Sequence, residues 1–345
     1  MSLPSRVSYR DIPLYSPSKV KCSVDLSDNT NLFGIPPAAE RILREAVTTQ
    51  VSRYPAGYAS DLKQAVARYT GVDPSWVTTG CGSDDVIDST LRAFLEPGEL
   101  FAFPDPTFVM MPYLSKVNGL RCAAVPLKPD FDIDVDGLLA TGAKLIYVCS
   151  PNNPTGTPAS RSALERLVDN APGIVLLDEA YAEFARESHL DLASRPNVLV
   201  ARTMSKAFGL AGMRVGYAVG HPTLVAEVEK ARGPYKVTGL SERMAAAALS
   251  EDVPWMKARA EEALAIRARL VAELETLGLK TLPSEANFVM VPLSGAPAVA
   301  ERMRQRDVNV RAFQGLKGIG DALRIGCAPW TQIEAALGAL RETLR

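Results

Sequence analysis

The sequence predicts an α/β protein, with a large part built on a mostly parallel sheet and a smaller α+β part appended to it. Three features lead there. The runs Lys144–Cys149, Gly173–Leu177 and Asn197–Ala201 are mostly continuous apolar stretches, as strands buried on both faces of a parallel sheet must be. A helix-like segment, Ser162–Val168, lies between the first two. After about Pro234 the texture changes to helical stretches rich in Ala, Glu and Arg, which marks a second unit.

Taken in order, residues 1–35 are rich in Pro, Ser and Asn and read as an extended arm. Pro36-Pro37 opens a helix over Ala38–Ala46, since proline is well tolerated in a first turn. Ser60–Tyr69 carries Leu62, Val66 and Ala67 at helical spacing, with Asp61 suited to the N-terminal end. Ser75–Thr79 reads as a strand, Gly80–Asp84 as a turn, and Val86–Leu95 as a helix stopped before Pro97-Gly98. Leu100–Phe103 is a short strand closed by Pro104 and Pro106. Beyond Pro234, helices are expected over Leu240–Leu249 and Ala258–Leu277, the second bridging to the smaller unit. There the strands are Ala286–Val291, Val308–Val310 and Leu323–Ile325, with helices over Pro297–Arg306 and Thr331–Leu344. The expected division is 36–240 for the large domain, with 1–35 and 241–345 forming the arm and small domain.

Composition narrows the function. The 345 residues include 38 basic and 39 acidic side chains and are 47% hydrophobic, which allows a sizeable core and argues against nucleic acid or an acidic membrane as partner. No run reaches the roughly 20 apolar residues of a membrane helix, and the N-terminus has no apolar signal core. Five scattered cysteines without a CxxC pair read as free thiols, and the expected location is cytoplasmic. With two histidines, His189 and His221, no zinc site or Ser-His-Asp triad is expected; both read as surface loop residues.

The chemistry is carried by three segments that each follow an expected parallel strand. Ser150-Pro-Asn-Asn-Pro-Thr-Gly156 follows the first, Asp178-Glu-Ala-Tyr181 ends the second, and Lys206 in Ser205-Lys-Ala-Phe-Gly-Leu-Ala-Gly-Met-Arg214 follows the third. Ligands bind beyond the carboxyl ends of such strands, so Asn153, Asp178 and Lys206 face one edge. A lysine amine condenses with an aldehyde and then shuttles protons; desolvation and the nearby Arg214 are expected to depress its pKa. An aspartate beside a pyridine nitrogen keeps it protonated, which makes the ring an electron sink. Asn153 and the Tyr181 hydroxyl suit the ring oxygen. Gly82, Ser83 and Asp84 at a strand-to-helix turn, with Ser205 and Arg214, suit a phosphate. Phe108 suits the ring face. Each motif alone reads as a turn or a helix cap; together, in one order and each at a strand end, they read as a pyridoxal 5'-phosphate site.

These motifs, with Asn29–Gly34, Arg53-Tyr-Pro55 and Pro106-Thr-Phe108, resemble the fold-type I pyridoxal-phosphate aminotransferases of classes I and II, most of all the histidinol-phosphate aminotransferases. The resemblance implies the three-layer large domain of that fold and a homodimer whose Tyr54 reaches the neighbouring cofactor's phosphate. It implies a substrate site in which Arg324 binds the α-carboxylate and Arg311 the substrate phosphate, with Tyr15 and Asn29 at the substrate side. The reaction implied is ping-pong amino transfer between histidinol phosphate and 2-oxoglutarate. Transfer from aromatic or other amino acids, decarboxylation of a phosphorylated amino acid, and a regulatory cofactor-binding module are the rivals. The chain departs from the family pattern at Thr30 and Leu32, at Asp85, and at Gly326-Cys-Ala-Pro-Trp330.

Overall fold

A computed structural model describes residues 6, 9–10, 12, 21–46 and 52–344 of the chain. The strands are β1 (Val24–Asp25), β2 (Val77–Gly80), β3 (Leu100–Asp105), β4 (Arg121–Pro126), β5 (Leu145–Cys149), β6 (Ile174–Asp178), β7 (Val198–Thr203), β8 (Gly216–Gly220), β9 (Phe288–Pro292), β10 (Val308–Asn309), β11 (Arg311–Leu316) and β12 (Gly320–Gly326). The helices are α1 (Pro37–Glu45), α2 (Ser60–Thr70), α3 (Ser83–Phe94), α4 (Met110–Asn118), α5 (Val135–Ala140), α6 (Arg161–Asn170), α7 (Pro222–Arg232), α8 (Gly239–Glu251), α9 (Val253–Thr276), α10 (Ala296–Arg304) and α11 (Trp330–Leu344).

Seven strands form the main sheet in the order β2-β8-β7-β6-β5-β3-β4. From β4 through β7 every neighbouring pair is parallel, and β8 is antiparallel to both β7 and β2. Side-chain alternation shows why those strands read as unbroken apolar runs. Ile146, Val148, Val175, Leu177, Val198 and Val200 join one apolar cluster, whereas Leu145, Tyr147, Cys149, Leu176, Leu199 and Ala201 join another on the opposite face. Helices α3, α4 and α7 cover the second face through Ile87, Leu91, Met111 and Val228. Helices α2 and α6 contribute Leu62, Val66, Leu164 and Leu167 to the first. The result is the expected three-layer α/β arrangement around a mixed, mostly parallel sheet.

The C-terminal part adds the antiparallel sheet β11-β12-β9, and β1 pairs with β10 in parallel. The N-terminal segment is thereby stitched to the end of the chain: the Gly326 N–H also donates to the Leu26 carbonyl at 3.0 Å.

Local chemistry moves some boundaries. The strand expected at Ser75 begins at Val77, because Pro74–Trp76 form a short 3-10 turn whose Asp73 carboxylate accepts the Ser75 N–H. Helix α9 starts at Val253 rather than Ala258, Pro254 being accommodated in its first turn. Four strands and three helices lie outside the expected set: β1, β4, β8, β11, α4, α5 and α7. The exposed edge β4 alternates weakly, and β8 begins and ends in glycine. His189 is 4% exposed, so its surface assignment is corrected: its backbone N–H donates to the buried Glu179 carboxylate. His221 caps α7, its ring accepting the Thr223 N–H.

Candidate active site

Strands β5, β6 and β7 run parallel with Cys149 opposite Asp178 and Asp178 opposite Ala201, so whatever follows them emerges on one edge. There a cavity is bounded by Asn153, Asp178, Tyr181 and Lys206, with Ser83, Asp84, Phe108, Ser205 and Arg214 around them. The structure thus gathers on one cavity nine positions singled out from sequence. Cys149, Ala180 and Thr203 complete its wall.

One end of the cavity is made for an anion. Gly82 precedes α3 with φ of 82°, and a Cβ there would lie 2.6 Å from an Arg214 Nη. Only glycine combines that backbone with so close a guanidinium. Gly216 on β8 makes the same turn possible from below, since a Cβ on it would lie 2.3 Å from the Ser83 nitrogen. The N–H groups of the first turn of α3 therefore stand beside Arg214, and the helix dipole adds to them. Arg214 also lies 3.6 Å from the half-exposed Asp84 carboxylate, whose pKa is raised, chiefly by desolvation and against the pull of Arg214.

The other end is acidic and buried. Asp178 is 3% exposed. Its Oδ1 accepts the Ala180 N–H at 3.0 Å, and its Oδ2 accepts the Tyr147 hydroxyl at 2.7 Å. Burial pushes its pKa up to about 6, with those hydrogen bonds acting in the opposite sense. Tyr147 was not foreseen. The available signal was a polar-tipped ring inside the apolar run of β5, because a buried tyrosine hydroxyl needs a partner.

Between the two ends stands Lys206. Desolvation lowers its pKa to about 8; Arg324 is the next cause, and Arg214 acts more weakly than the Asp28 and Asp84 carboxylates that oppose it. Desolvation and Arg214 thus act on Lys206 in the expected direction, and Arg324, which the sequence did not point to for this effect, acts more strongly than Arg214. Lys206 Nζ donates to the Asp28 carbonyl at 2.8 Å.

A second cavity adjoins the first, sharing Phe108, Asn153, Tyr181 and Lys206 with it and adding Asn29, Arg311, Phe313 and Arg324. Arg311 and Arg324 are paired in register on β11 and β12, which aligns two cations. Arg324 donates to Asn153 Oδ1 at 2.6 Å and to the Ser27 carbonyl, and its guanidinium lies between the Phe288 and Phe313 rings at 5.4 and 5.7 Å. Asn29 donates to the Tyr181 hydroxyl at 3.2 Å. Residues Ser27, Asp28 and Asn29 thus contact Arg324, Lys206 and Tyr181 in turn. Tyr54 is not in either cavity: it is 84% exposed and stacks on Tyr235 at 5.0 Å. Tyr15 lies outside the described residues.

The donor set fits a flat molecule with an anionic group at one end, a basic ring nitrogen at the other and an electrophilic carbon between. Among the described residues, no cluster of histidine, cysteine or carboxylate side chains is arranged to hold a metal.

Residues 22–340 match the family model described as aminotransferase class I and II. The chain belongs to the class I and II aminotransferases. Among aminotransferase relatives, it is 36% identical over 323 residues to a histidinol-phosphate aminotransferase of Thermoanaerobacter sp. (strain X514), covering 92% of each chain. It is 38% identical over 333 residues to one from Roseiflexus castenholzii, covering 92% of this chain and 89% of the relative. The crystal structure of the Sinorhizobium meliloti histidinol-phosphate aminotransferase with pyridoxal-5'-phosphate superposes with a TM-score of 0.86 at 28% identity, over 94% of this chain and 92% of that one. The aspartate aminotransferase of Thermus thermophilus with maleate, at 21% identity and a TM-score of 0.80 over 94% and 92% of the two chains, shares the fold.

Proposed function

We propose that this aminotransferase uses pyridoxal 5'-phosphate to exchange an amino group between histidinol phosphate and 2-oxoglutarate in two alternating half-reactions. The observation that carries the reading is the placement of Lys206, Asp178 and the Arg324–Asn153 pair around one connected cleft. The names of the relatives support the substrate pair. When bound, the cofactor supplies an electron sink that stabilises negative charge at the substrate α-carbon.

The chain's own residues do the rest. Lys206 would hold the cofactor through its amine, and the same amine would take the substrate α-proton and return it as an acid; a pKa of about 8 suits both roles near neutrality. Asp178 holds a proton at the ring nitrogen. Asn153 and Tyr181 hydrogen-bond the ring oxygen. The turn at Gly82, Ser83 and Asp84, with Ser205 and Arg214, takes the cofactor phosphate, and Phe108 packs on the ring. Arg324 takes a substrate α-carboxylate through its planar fork. Arg311 takes the substrate phosphate in one half-reaction and the distal carboxylate of glutamate in the other. Asn29 and Tyr15 belong to the substrate side.

The same reading makes the protein a cytoplasmic homodimer in which Tyr54 completes the partner's phosphate site. The exposed, stacked Tyr54 and Tyr235 rings, which line a surface hollow, support an interface there. It divides the chain into a cofactor domain, 36–240, and a small domain from 1–35 and 241–345. The main sheet lies wholly within the first.

Half-reactions test the assignment. Purified protein should carry a visible absorbance that histidinol phosphate and glutamate bleach faster than phenylalanine does. A colourless protein overturns the cofactor reading, and preferential bleaching by phenylalanine moves the substrate to the aromatic class. Arg311→Ala should slow histidinol phosphate and glutamate but spare phenylalanine; equal slowing of all three removes Arg311 from substrate recognition. Mixing Tyr54→Phe and Lys206→Ala subunits should restore one intact site per hybrid dimer.

A further inference from the structure

We propose that Tyr147 is a positioning residue of this site: its hydroxyl, donated upward from within the sheet, fixes the Asp178 carboxylate and withholds it from the proton that belongs on the cofactor's ring nitrogen. The inference rests on the cofactor reading above. It starts from an electrostatic difficulty. Asp178 must be negative to hold a cationic ring nitrogen, yet it is almost wholly buried, and burial favours the neutral acid. The charged groups near it do not help: Asp84 and Glu179 both act to neutralise it. Cys149 beside it on β5 is a buried neutral thiol whose own ionisation is suppressed. The groups that favour the carboxylate are the Ala180 N–H, at 3.0 Å, and the Tyr147 hydroxyl, at 2.7 Å.

The direction of the Tyr147 bond follows from chemistry. The hydroxyl is within the core, fully buried, and its own ionisation is strongly disfavoured by that burial and by the adjacent Asp178 charge. It therefore stays a donor at every working pH, and a carboxylate oxygen facing it accepts. Each Asp178 oxygen then has one internal donor, and the remaining acceptor capacity faces the cavity that Asp178 lines. Register places the tyrosine for this task. Cys149 lies opposite Asp178, and Tyr147, two residues earlier on the same face of β5, reaches up beneath the carboxylate.

Tyr147→Phe keeps the ring and removes only the donor. Losing a hydrogen bond to a charged group should weaken cofactor affinity by roughly 10- to 100-fold near pH 7, measured by titrating apoprotein with pyridoxal phosphate. The loss should shrink as pH rises, because alkali restores the Asp178 charge that the hydroxyl no longer protects. With ¹⁵N-labelled cofactor, the ring-nitrogen resonance should shift toward its unprotonated position, a change that a merely structural role for Tyr147 would not cause. Replacing Tyr147 by 3-fluorotyrosine, a stronger donor, should shift the affinity profile in the opposite direction and keeps the test open if the phenylalanine variant folds poorly. If wild type binds the cofactor while both variants match it in affinity, pH profile and nitrogen resonance, Tyr147 is only a core residue. If wild type itself binds no cofactor, the function proposed above fails instead.

Discussion

Arg324 and Asn153 are joined across the cleft by a 2.6 Å hydrogen bond, one side chain coming from β12 of the small sheet and the other from the turn after β5 of the large one. On the function proposed above, a substrate carboxylate arriving at the guanidinium would compete for the donor that Asn153 holds, so substrate binding would be felt at the group proposed to meet the cofactor's ring oxygen. Arg324→Lys loses the planar fork and should lower kcat/KM by roughly 10- to 100-fold. The effect should be less than additive with Asn153→Ala. Full additivity in the double-mutant cycle would show that the two residues act separately.

Lys206 gives a pH signature. An ordinary lysine titrates at 10.5, and this one at about 8. Condensation of apoprotein with pyridoxal phosphate should therefore gain rate with pH about a midpoint near 8. Stability follows with a definite sign. Folding sheds a proton from Lys206 between pH 8 and 10.5, so its contribution to stability improves as pH rises through that window. The unfolding free energy of wild-type apoprotein minus that of Lys206→Met should rise from pH 8 to 10.5. A signed difference that stays flat or falls would mean that the amine is not destabilised in its charged form.

Gly82 leaves room for a side chain only if the Arg214 guanidinium moves. Its φ of 82° and the 2.6 Å approach of Arg214 make Gly82→Ala strained by about 1–3 kcal/mol. The substitution should displace Arg214 and weaken pyridoxal-phosphate binding at least tenfold, while binding of the dephosphorylated analogue pyridoxal changes little. Equal losses for the two would separate Gly82 from phosphate recognition.

Glu179 and Arg202 form a buried ion pair with N···O of 2.7 Å, and Glu179 also accepts from Ser188 and the His189 N–H. Removing one partner leaves an uncompensated buried charge, so Glu179→Ala should cost about 3–5 kcal/mol of stability. Urea unfolding of the apoprotein measures it, and a loss below about 1 kcal/mol would place the pair among weak surface bridges.

The parts of this fold that were legible in the sequence were those governed by local pattern. Strands β5, β6 and β7 declare themselves because both faces are buried and few polar residues interrupt them. Asn153, Asp178 and Lys206 are legible for a related reason: parallel strands bring their carboxyl ends to one edge, so chain order predicts convergence. Long-range pairing was not legible. The Tyr147–Asp178 bond depends on the register between β5 and β6, and the dominance of Arg324 over Arg214 near Lys206 depends on how the small sheet leans over the large one. The edge strand β4, exposed at four of its six positions, lacks the burial that writes a periodic signal. His189 was misread because its backbone is held by the buried Glu179, a contact that its own segment does not signal.

The amine of Lys206 rests on a main-chain oxygen, that of Asp28, whereas the Tyr181 hydroxyl is met by a side chain, that of Asn29. A peptide oxygen is present whatever residue is encoded there, so codon 28 is open to drift without disturbing that anchor. Codon 29 has no such freedom, because its amide is itself the contact. Two adjacent positions thus hold the site by different means: position 28 anchors through its backbone, its carboxylate only favouring the charged amine, and position 29 anchors through its side chain.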